Sequence, residues 1–191
     1  SLWNKMIPYD RFILVYKKYI FIIAFVFISG CHHSSTHSIT DFSFNERMLS
    51  VTSSCETSKL QNKSFKSVWT RMRSGFCFKN INSSRISQEL KWMVKNKDFV
   101  YRSIDRSKPY LFHILSYLEK RNLPHELALL PMVESGFQPF AYSSSRAAGI
   151  WQFIPPTARE YGLKMNWLYD GRRDVLESTK AATYFLSDMH R

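Results

Sequence analysis

The most regular hydrophobic pattern of the chain begins after Pro109. Leucine and isoleucine recur there at the spacing i, i+3, i+4 and i+7, which places them along one face of an α-helix. Proline suits the first turn of a helix, where its missing N–H group has no partner to lose. The pattern therefore predicts an amphipathic helix that opens near Pro109 and buries Leu111, Ile114, Leu115 and Leu118.

A second helix is predicted from Pro124 to Glu134, and it is apolar on nearly every side. Such a helix belongs in the interior of a domain. Pro131 must kink or locally break it, because proline removes a helix hydrogen bond and crowds the preceding turn. No residue from Leu127 to Val133 has a polar side-chain group, so the carboxyl of Glu134 arrives at the edge of the predicted core.

Three further helices are predicted, over residues 86–94, from Pro155 or Pro156 to Gly162, and from Asp174 onward. The first has apolar residues at roughly helical spacing, and Gly162 supplies a left-handed residue to end the second. Asp174 begins the third with a capping-box-like pattern, and the charges of residues 170–174 are expected to cap and tie this helix. Neither strand alternation nor an internal repeat competes, so the folded part is predicted to be all-α.

A short apolar run, residues 19–29, follows several basic residues near the start of the chain. Its length is typical of a signal peptide and is short for a membrane-spanning helix. The run ends in Ile-Ser-Gly-Cys31, which resembles the cleavage box of bacterial lipoproteins, where the cysteine receives the lipid. We therefore expect residues 1–30 to be a lipoprotein-type signal peptide and Cys31 to be lipidated. A short uncleaved membrane anchor is the alternative, and both imply export.

Residues 31–66 are rich in Ser, Thr and Asn, and they are expected to form a linker with little fixed structure up to residue 64. Three histidines in this stretch have no cysteine or carboxylate at ligand spacing, so no metal site is predicted there. Export would place Cys55 and Cys77 in an oxidising compartment, where two cysteines tend to close into a disulfide. The sequence leaves open whether these two pair.

The formal charge of +12 suits an anionic partner, and 45% apolar residues suffice for a globular core. Nucleic acid, a membrane surface and an acidic cell-wall polymer all fit the charge. The Lys and Arg residues are scattered over signal, linker and helix surfaces, whereas a nucleic-acid reader would concentrate them on one recognition element. Together with the export signal, this distribution argues against nucleic acid.

Three runs carry a family resemblance: ELALLPMVESGFQPFAYS, AAGIWQFIPPTAREYGL and YDGRRDVLESTKAATYFL. On these runs, the chain from about Trp69 to Arg191 is similar to the lytic murein transglycosylases, most closely the membrane-bound D group. The resemblance implies an all-α, lysozyme-like SLT domain over residues 67–191. In the family, further helices follow with an Ala-Tyr-Asn-x-Gly motif whose tyrosine contacts the substrate. The domain is therefore expected to lack its C-terminal part here.

The resemblance also implies a site, because the family pattern is a Glu-Ser pair closing a buried helix, then Ala-x-Ser, then Gly-x-Trp-Gln. It makes Glu134 the catalytic acid and Ser143, Gly149, Trp151 and Gln152 the substrate-binding residues. A carboxyl desolvated at the edge of a core has its ionised form disfavoured, which suits an acid. The alternative for Glu134 is a residue that only marks the end of the helix. The alternatives for the others are an ordinary loop serine at Ser143, a core side chain at Trp151 and a surface amide at Gln152.

The implied activity is cleavage of the MurNAc-GlcNAc β-1,4 bond of peptidoglycan with formation of 1,6-anhydromuramic ends, without a cofactor. Most glycosidases need two carboxylates. The family manages with one, because the attacking C6 hydroxyl is already tethered beside the reacting carbon. The expected partners are glycan strands and, through the lipid, a membrane of the periplasm. His32 after Cys31 favours the outer membrane. The alternative is a catalytically inactive peptidoglycan-binding lipoprotein derived from such an enzyme.

Overall fold

The computed structural model describes residues 55–78 and 84–189. In this part of the chain the backbone forms helices, and β-pairing is limited to isolated bridges. The all-α prediction is therefore confirmed for these residues. In chain order the elements are a 3-10 turn Thr57–Leu60, α1 Val68–Ser74, α2 Ser84–Lys95, α3 Lys97–Ser107, α4 Leu111–Lys120, a 3-10 segment His125–Leu129, α5 Leu130–Ser135, α6 Pro155–Glu160 and α7 Val175–Asp188.

Helix α4 is the central helix, as the hydrophobic pattern predicted. It contacts both 3-10 elements, α1 and α7. Burial of a large aliphatic side chain stabilises a fold by roughly 1.5–3 kcal/mol. The stripe of α4 is therefore a principal source of stability, since each of its members is 0% exposed: Leu111, Ile114, Leu115 and Leu118.

The second predicted helix is divided in two. The chain forms a 3-10 turn up to Leu129, and the regular helix α5 restarts at Leu130. This restart places Pro131 in the first turn of α5, where a missing N–H group breaks no hydrogen bond. The break attributed to Pro131 is confirmed. As a result α5 is only 6 residues long, and its last turn carries Glu134.

Helices α2, α6 and α7 confirm the other predicted segments. The Asp174 carboxylate accepts hydrogen bonds from the backbone N–H groups of Leu176 and Glu177, both at 3.0 Å, and so caps α7. The sequence pattern did not predict helix α3. Its buried apolar face consists of Val100 and Ile104 among many charged residues, which is too narrow a stripe to stand out.

The expected linker is described only from Cys55 onward, and from there it packs on the domain. Thr57 is buried, and its hydroxyl donates to the carbonyl of Leu123 at 2.9 Å. The amide side chain of Asn122 accepts from the Ser58 N–H at 3.1 Å and donates to the Cys55 carbonyl at 3.2 Å. Fixed structure therefore begins before residue 64, earlier than the polar composition predicted.

The disulfide that the sequence left open is formed between Cys55 and Cys77, whose Cα atoms are 5.3 Å apart. It joins the start of the described segment to the residues after α1. Residues 1–54 lie outside the described part, and with them the predicted signal peptide and Cys31. Within residues 55–78 and 84–189, no helix combines the length and apolar character needed to cross a bilayer.

Replacing both Cys55 and Cys77 by Ser is expected to lower the free energy of unfolding by about 3 kcal/mol, because a closed loop of this size restricts the unfolded chain. Denaturant unfolding of the full chain measures the change, and reductant should shift the unmodified chain by a similar amount. The Ser variant itself should be insensitive to reductant. An unchanged unfolding midpoint in the variant would contradict this role for the disulfide.

Candidate active site

Glu134 lies in the last turn of α5, two residues before the left-handed residue Gly136 that ends the helix. Its side chain is partly buried, and burial raises the pKa of its carboxyl to about 7. Among the described residues, no hydrogen bond or ion pair to this carboxylate is found. A carboxyl in such surroundings keeps its proton at neutral pH more readily than an exposed one, since desolvation disfavours the charge.

Ser135 joins the end of α5 to the loop that contains Ile150. Its hydroxyl lies 3.1 Å from the Pro131 carbonyl and 3.0 Å from the Ile150 carbonyl, and it accepts a hydrogen bond from the Gln138 N–H. The bond to Ile150 joins the Glu-Ser pair to the Gly-Ile-Trp-Gln segment. Two of the three predicted motifs are thus brought into direct contact.

Gly149 is required by its surroundings. Its φ of +82° is in the left-handed region, and a Cβ atom there would lie 1.8 Å from the carbonyl oxygen of Arg172. No side chain fits at that distance. The backbone of the loop can therefore approach the segment before α7 only because this residue is glycine.

Gln152 is held in an unusual backbone conformation, with φ of +49°. Its side chain is 8% exposed, and its amide nitrogen donates to the carbonyls of Gly149 at 2.8 Å and Ala141 at 3.4 Å. A non-glycine residue at positive φ stores strain that the surrounding contacts must offset, and such strain clusters at functional sites. Gln152 therefore fixes the loop that faces α5, which a surface amide would not do.

Trp151 and Ser143 have structural partners. The Trp151 indole is 6% exposed and donates its N–H to the Thr179 hydroxyl of α7 at 2.9 Å. Ser143 accepts a hydrogen bond from the Ala147 N–H at 3.0 Å and so closes the turn between them. The structure gives both residues a role in holding the loop, and their contact with a substrate stays a prediction.

The charged run before α7 ties loops together, as the sequence predicted. Arg172 pairs with Asp170 and donates to the carbonyls of Arg146 at 2.6 Å and Phe153 at 3.2 Å. The hydrogen bond from Arg172 holds the pKa of Asp170 below its usual range. Arg172 thereby connects the turn after Ser143, the segment before α6 and the start of α7.

Two other carboxylates near the site are fully buried, and both are compensated. Glu119 is bound by the Arg71 guanidinium at 2.9 and 2.6 Å. Glu126 accepts backbone N–H bonds from Cys77 at 2.8 Å and Phe78 at 2.9 Å. The hydrophobic pattern singled out only Glu134, and the burial of Glu126 was not predicted. Its position directly before the apolar run 127–133 is the one local signal that could have indicated it.

Comparison with known proteins shows which family this part of the chain resembles. Residues 114–191 match the family described as the transglycosylase SLT domain, and this range contains Glu134 and the loop up to Gln152. This part of the chain is therefore similar to SLT domains. The resemblance to the lytic murein transglycosylases that the sequence indicated is thereby confirmed.

Two relatives show how far the similarity extends. The chain is 44% identical to membrane-bound lytic murein transglycosylase D of Escherichia coli (strain K12) over 109 residues, which is 57% of this chain and 24% of that protein. It is 46% identical over 86 residues to a protein of Alteromonas sp. (strain M-1) named for tributyltin chloride resistance, which is 45% of this chain and 42% of that protein. The alignments thus span less than half the length of these relatives.

Glu134 and Glu126 should respond oppositely to amidation at pH 8. For Glu134 the folded-state pKa of about 7 exceeds the ordinary 4.5, so stability is lost as pH rises from 4.5 to 7. Glu134→Gln removes that loss and should stabilise the fold at pH 8 by on the order of 2 kcal/mol, and by little at pH 4. Thermal unfolding at the two pH values measures the difference.

Glu126→Gln is the matched comparison. It removes a charged acceptor from two buried N–H groups and should destabilise the fold by about 1–3 kcal/mol at pH 8. If Glu134→Gln were as destabilising as Glu126→Gln at pH 8, the carboxyl of Glu134 would have a stabilising partner that the geometry lacks.

Proposed function

We propose that the protein is a peptidoglycan lytic transglycosylase in which Glu134 serves as both acid and base. The observation that carries the proposal is the contrast among three carboxyls. Glu119 and Glu126 have strong partners, whereas Glu134 is desolvated and has a pKa raised to about 7. A group that must first give a proton and then take one works best with a pKa near the ambient pH.

The proposed reaction uses the Glu134 carboxyl twice, first as an acid and then as a base. The Glu134 carboxyl transfers its proton to the oxygen of the MurNAc-GlcNAc β-1,4 bond as the bond to the muramic C1 breaks. The resulting carboxylate then removes the proton of the C6 hydroxyl, whose oxygen bonds to C1 and closes a 1,6-anhydro ring. Glu134 is protonated again at the end, and no water is consumed. The tethered hydroxyl supplies the proximity that a second carboxylate supplies elsewhere.

The proposed substrate contacts come from the loop that Ser135 fastens to α5. Its members are the residues that the family pattern indicated, namely Ser143, Gly149, Trp151 and Gln152. The close backbone approach at Gly149 and the buried amide of Gln152 support this assignment, because they fix the loop beside the acid. A rigid loop holds a sugar ring at a constant distance from the proton that it receives.

We further propose that the protein is exported and membrane-attached, with Cys31 lipidated in the periplasmic leaflet of the outer membrane. The predicted cleavage box and the name of the Escherichia coli relative support this location. The proposed organisation is a signal peptide over residues 1–30, a tether from Cys31, and an SLT domain that includes residues 67–191.

Glu134→Gln should reduce release of soluble peptidoglycan products by roughly 10²–10⁴ or more, since general acid–base assistance is worth that much in rate and one residue serves both steps. Binding of glycan strands should persist. Turnover of purified sacculi, with mass analysis of the product ends, measures both claims. Activity of the unmodified chain should fall above pH 7, where the acid loses its proton.

Glu160→Gln and Glu177→Gln are the controls, because both side chains are exposed on helices, and they should leave turnover intact. Reducing muramic ends in place of 1,6-anhydro ends would contradict the single-glutamate reaction. Glycan binding by the unmodified chain without any anhydro product would favour the inactive binding lipoprotein.

Lipidation is tested on the membrane-extracted protein. Mass spectrometry should find Cys31 as the acylated N-terminus of the mature chain, because the small residues before it fit the cleavage box. The variant Cys31→Ser should lose the acyl mass and leave the membrane fraction. An N-terminus that retains the apolar run 19–29 would instead show an uncleaved anchor.

A further inference from the structure

A cleft lies beside the segment that follows the candidate acid, and the proposed cleavage gives this cleft no role. It is a cleft of about 440 Å³ between the end of α3, the turn before α4 and the segment that follows α5. Its lining consists of Asp105, Arg106, Pro109, Tyr110 and residues 137–141. The last wall begins three residues after Glu134, so the cleft and the acid are built on the same segment.

The cleft presents a cation with free donor groups. Asp105 is already paired with Lys108, whose Nζ lies 2.7 Å from its carboxylate. Arg106 donates to the Gly136 carbonyl at 3.5 Å, the outer limit of a hydrogen bond, and among the described residues no carboxylate pairs with it. Because Asp105 is neutralised by Lys108, which flanks the lining, the Arg106 guanidinium is the one unbalanced charge among the lining residues.

Apart from Gln138, the rest of the lining consists of aromatic, proline and alanine residues. Phe140 is 78% exposed and Tyr110 is partly exposed, and both line the cleft. A large exposed ring beside an unpaired guanidinium is typical of a surface that binds an amphipathic anion. A neutral sugar would find rings to stack on, but it would leave the guanidinium without a partner.

We propose that this cleft binds the peptide stem carried by the muramyl residue of the strand being cut. Arg106 receives a carboxylate of the stem through its planar fork of N–H groups, and Phe140 and Tyr110 pack against the aliphatic side chains. The inference rests on the proposed function. A peptide stem is attached to the muramyl ring through the lactyl group, close to the bond that is broken. Since the cleft lining begins three residues after Glu134, a stem on the cleaved sugar is placed beside the cleft.

Binding without turnover tests the proposal. In the full chain carrying Glu134→Gln, calorimetry would compare a disaccharide bearing a tetrapeptide with the same disaccharide after the peptide is removed, which leaves the lactyl carboxylate. Adding Arg106→Gln should weaken binding of the peptide-bearing ligand by roughly two- to fivefold, the usual effect of one exposed ion pair. Binding of the stripped disaccharide should not change. Phe140→Ala should show the same selectivity.

Arg159→Gln, an exposed arginine on α6, is the matched control and should weaken neither ligand. Arg106→Lys keeps the charge and should restore part of the affinity for the peptide-bearing ligand. Equal weakening of both ligands by Arg106→Gln would show that the residue acts on the sugar or on the position of Gly136, and it would overturn the proposal. No weakening of either ligand would overturn it as well.

The outcome is separable from the proposed cleavage, because turnover is measured on the chain that retains Glu134. If that chain released no anhydro products, the cleavage would fail while the difference between the two ligands still decided the role of the cleft. If cleavage occurred and the two ligands lost affinity equally, only the peptide-stem assignment would fail.

Discussion

A carboxylate that leaves water must be compensated, and this requirement organises the region around the site. Glu119 meets it with the Arg71 guanidinium, which joins α4 to α1. Glu126 meets it with the backbone N–H groups of Cys77 and Phe78, which hold the residues after α1 against the 3-10 segment. Removing one partner of a buried ion pair typically costs about 3–5 kcal/mol, and taking a charged acceptor from buried N–H groups costs about 1–3 kcal/mol. These contacts therefore fix where α1 and its flanking residues lie. Glu134 is the exception, since its charge is left without compensation.

The frame that these contacts create also determines how rigidly Glu134 is held. Pro131 forces the chain to restart its helix, and the short α5 ends two residues after the acid at Gly136. The Ser135 hydroxyl then joins α5 to Ile150, while Gln152 joins the far side of the loop to Ala141 and Gly149. Each of these ties is a side-chain bond to a backbone carbonyl, so the loop is positioned without a regular sheet or helix. An acid and its facing loop are thereby fixed together by a few polar atoms.

Much of the fold was predictable because its signals are local. The stripe of α4, the break at Pro131 and the Asp174 cap each depend on residues within a few positions of one another. Helix α3 was missed because its apolar stripe is only a few residues wide. The partners of Glu126 lie 48 and 49 residues away in the sequence, and so do not appear in any local pattern. The same holds for Trp151, whose indole finds Thr179 only once α7 has packed.

The pKa of Glu134 is raised by loss of water around its carboxyl, so bound substrate would change this pKa. Desolvation is the cause, and a neighbouring negative charge is not needed. A shift of that kind depends on how much water reaches the carboxyl, so a bound glycan strand that displaces water raises the pKa further. In a complex with substrate, the Glu134 carboxyl would then hold its proton more firmly than in the free protein.

Because α5 ends at Glu134 and Ser135, its terminal carbonyl groups add a weak preference for the neutral acid. The carboxylate formed when the proton moves to the leaving oxygen would be the least stable form of the group in dry surroundings. It would therefore be a strong base at the moment when the C6 hydroxyl must be deprotonated, so one desolvated glutamate can serve both half-steps.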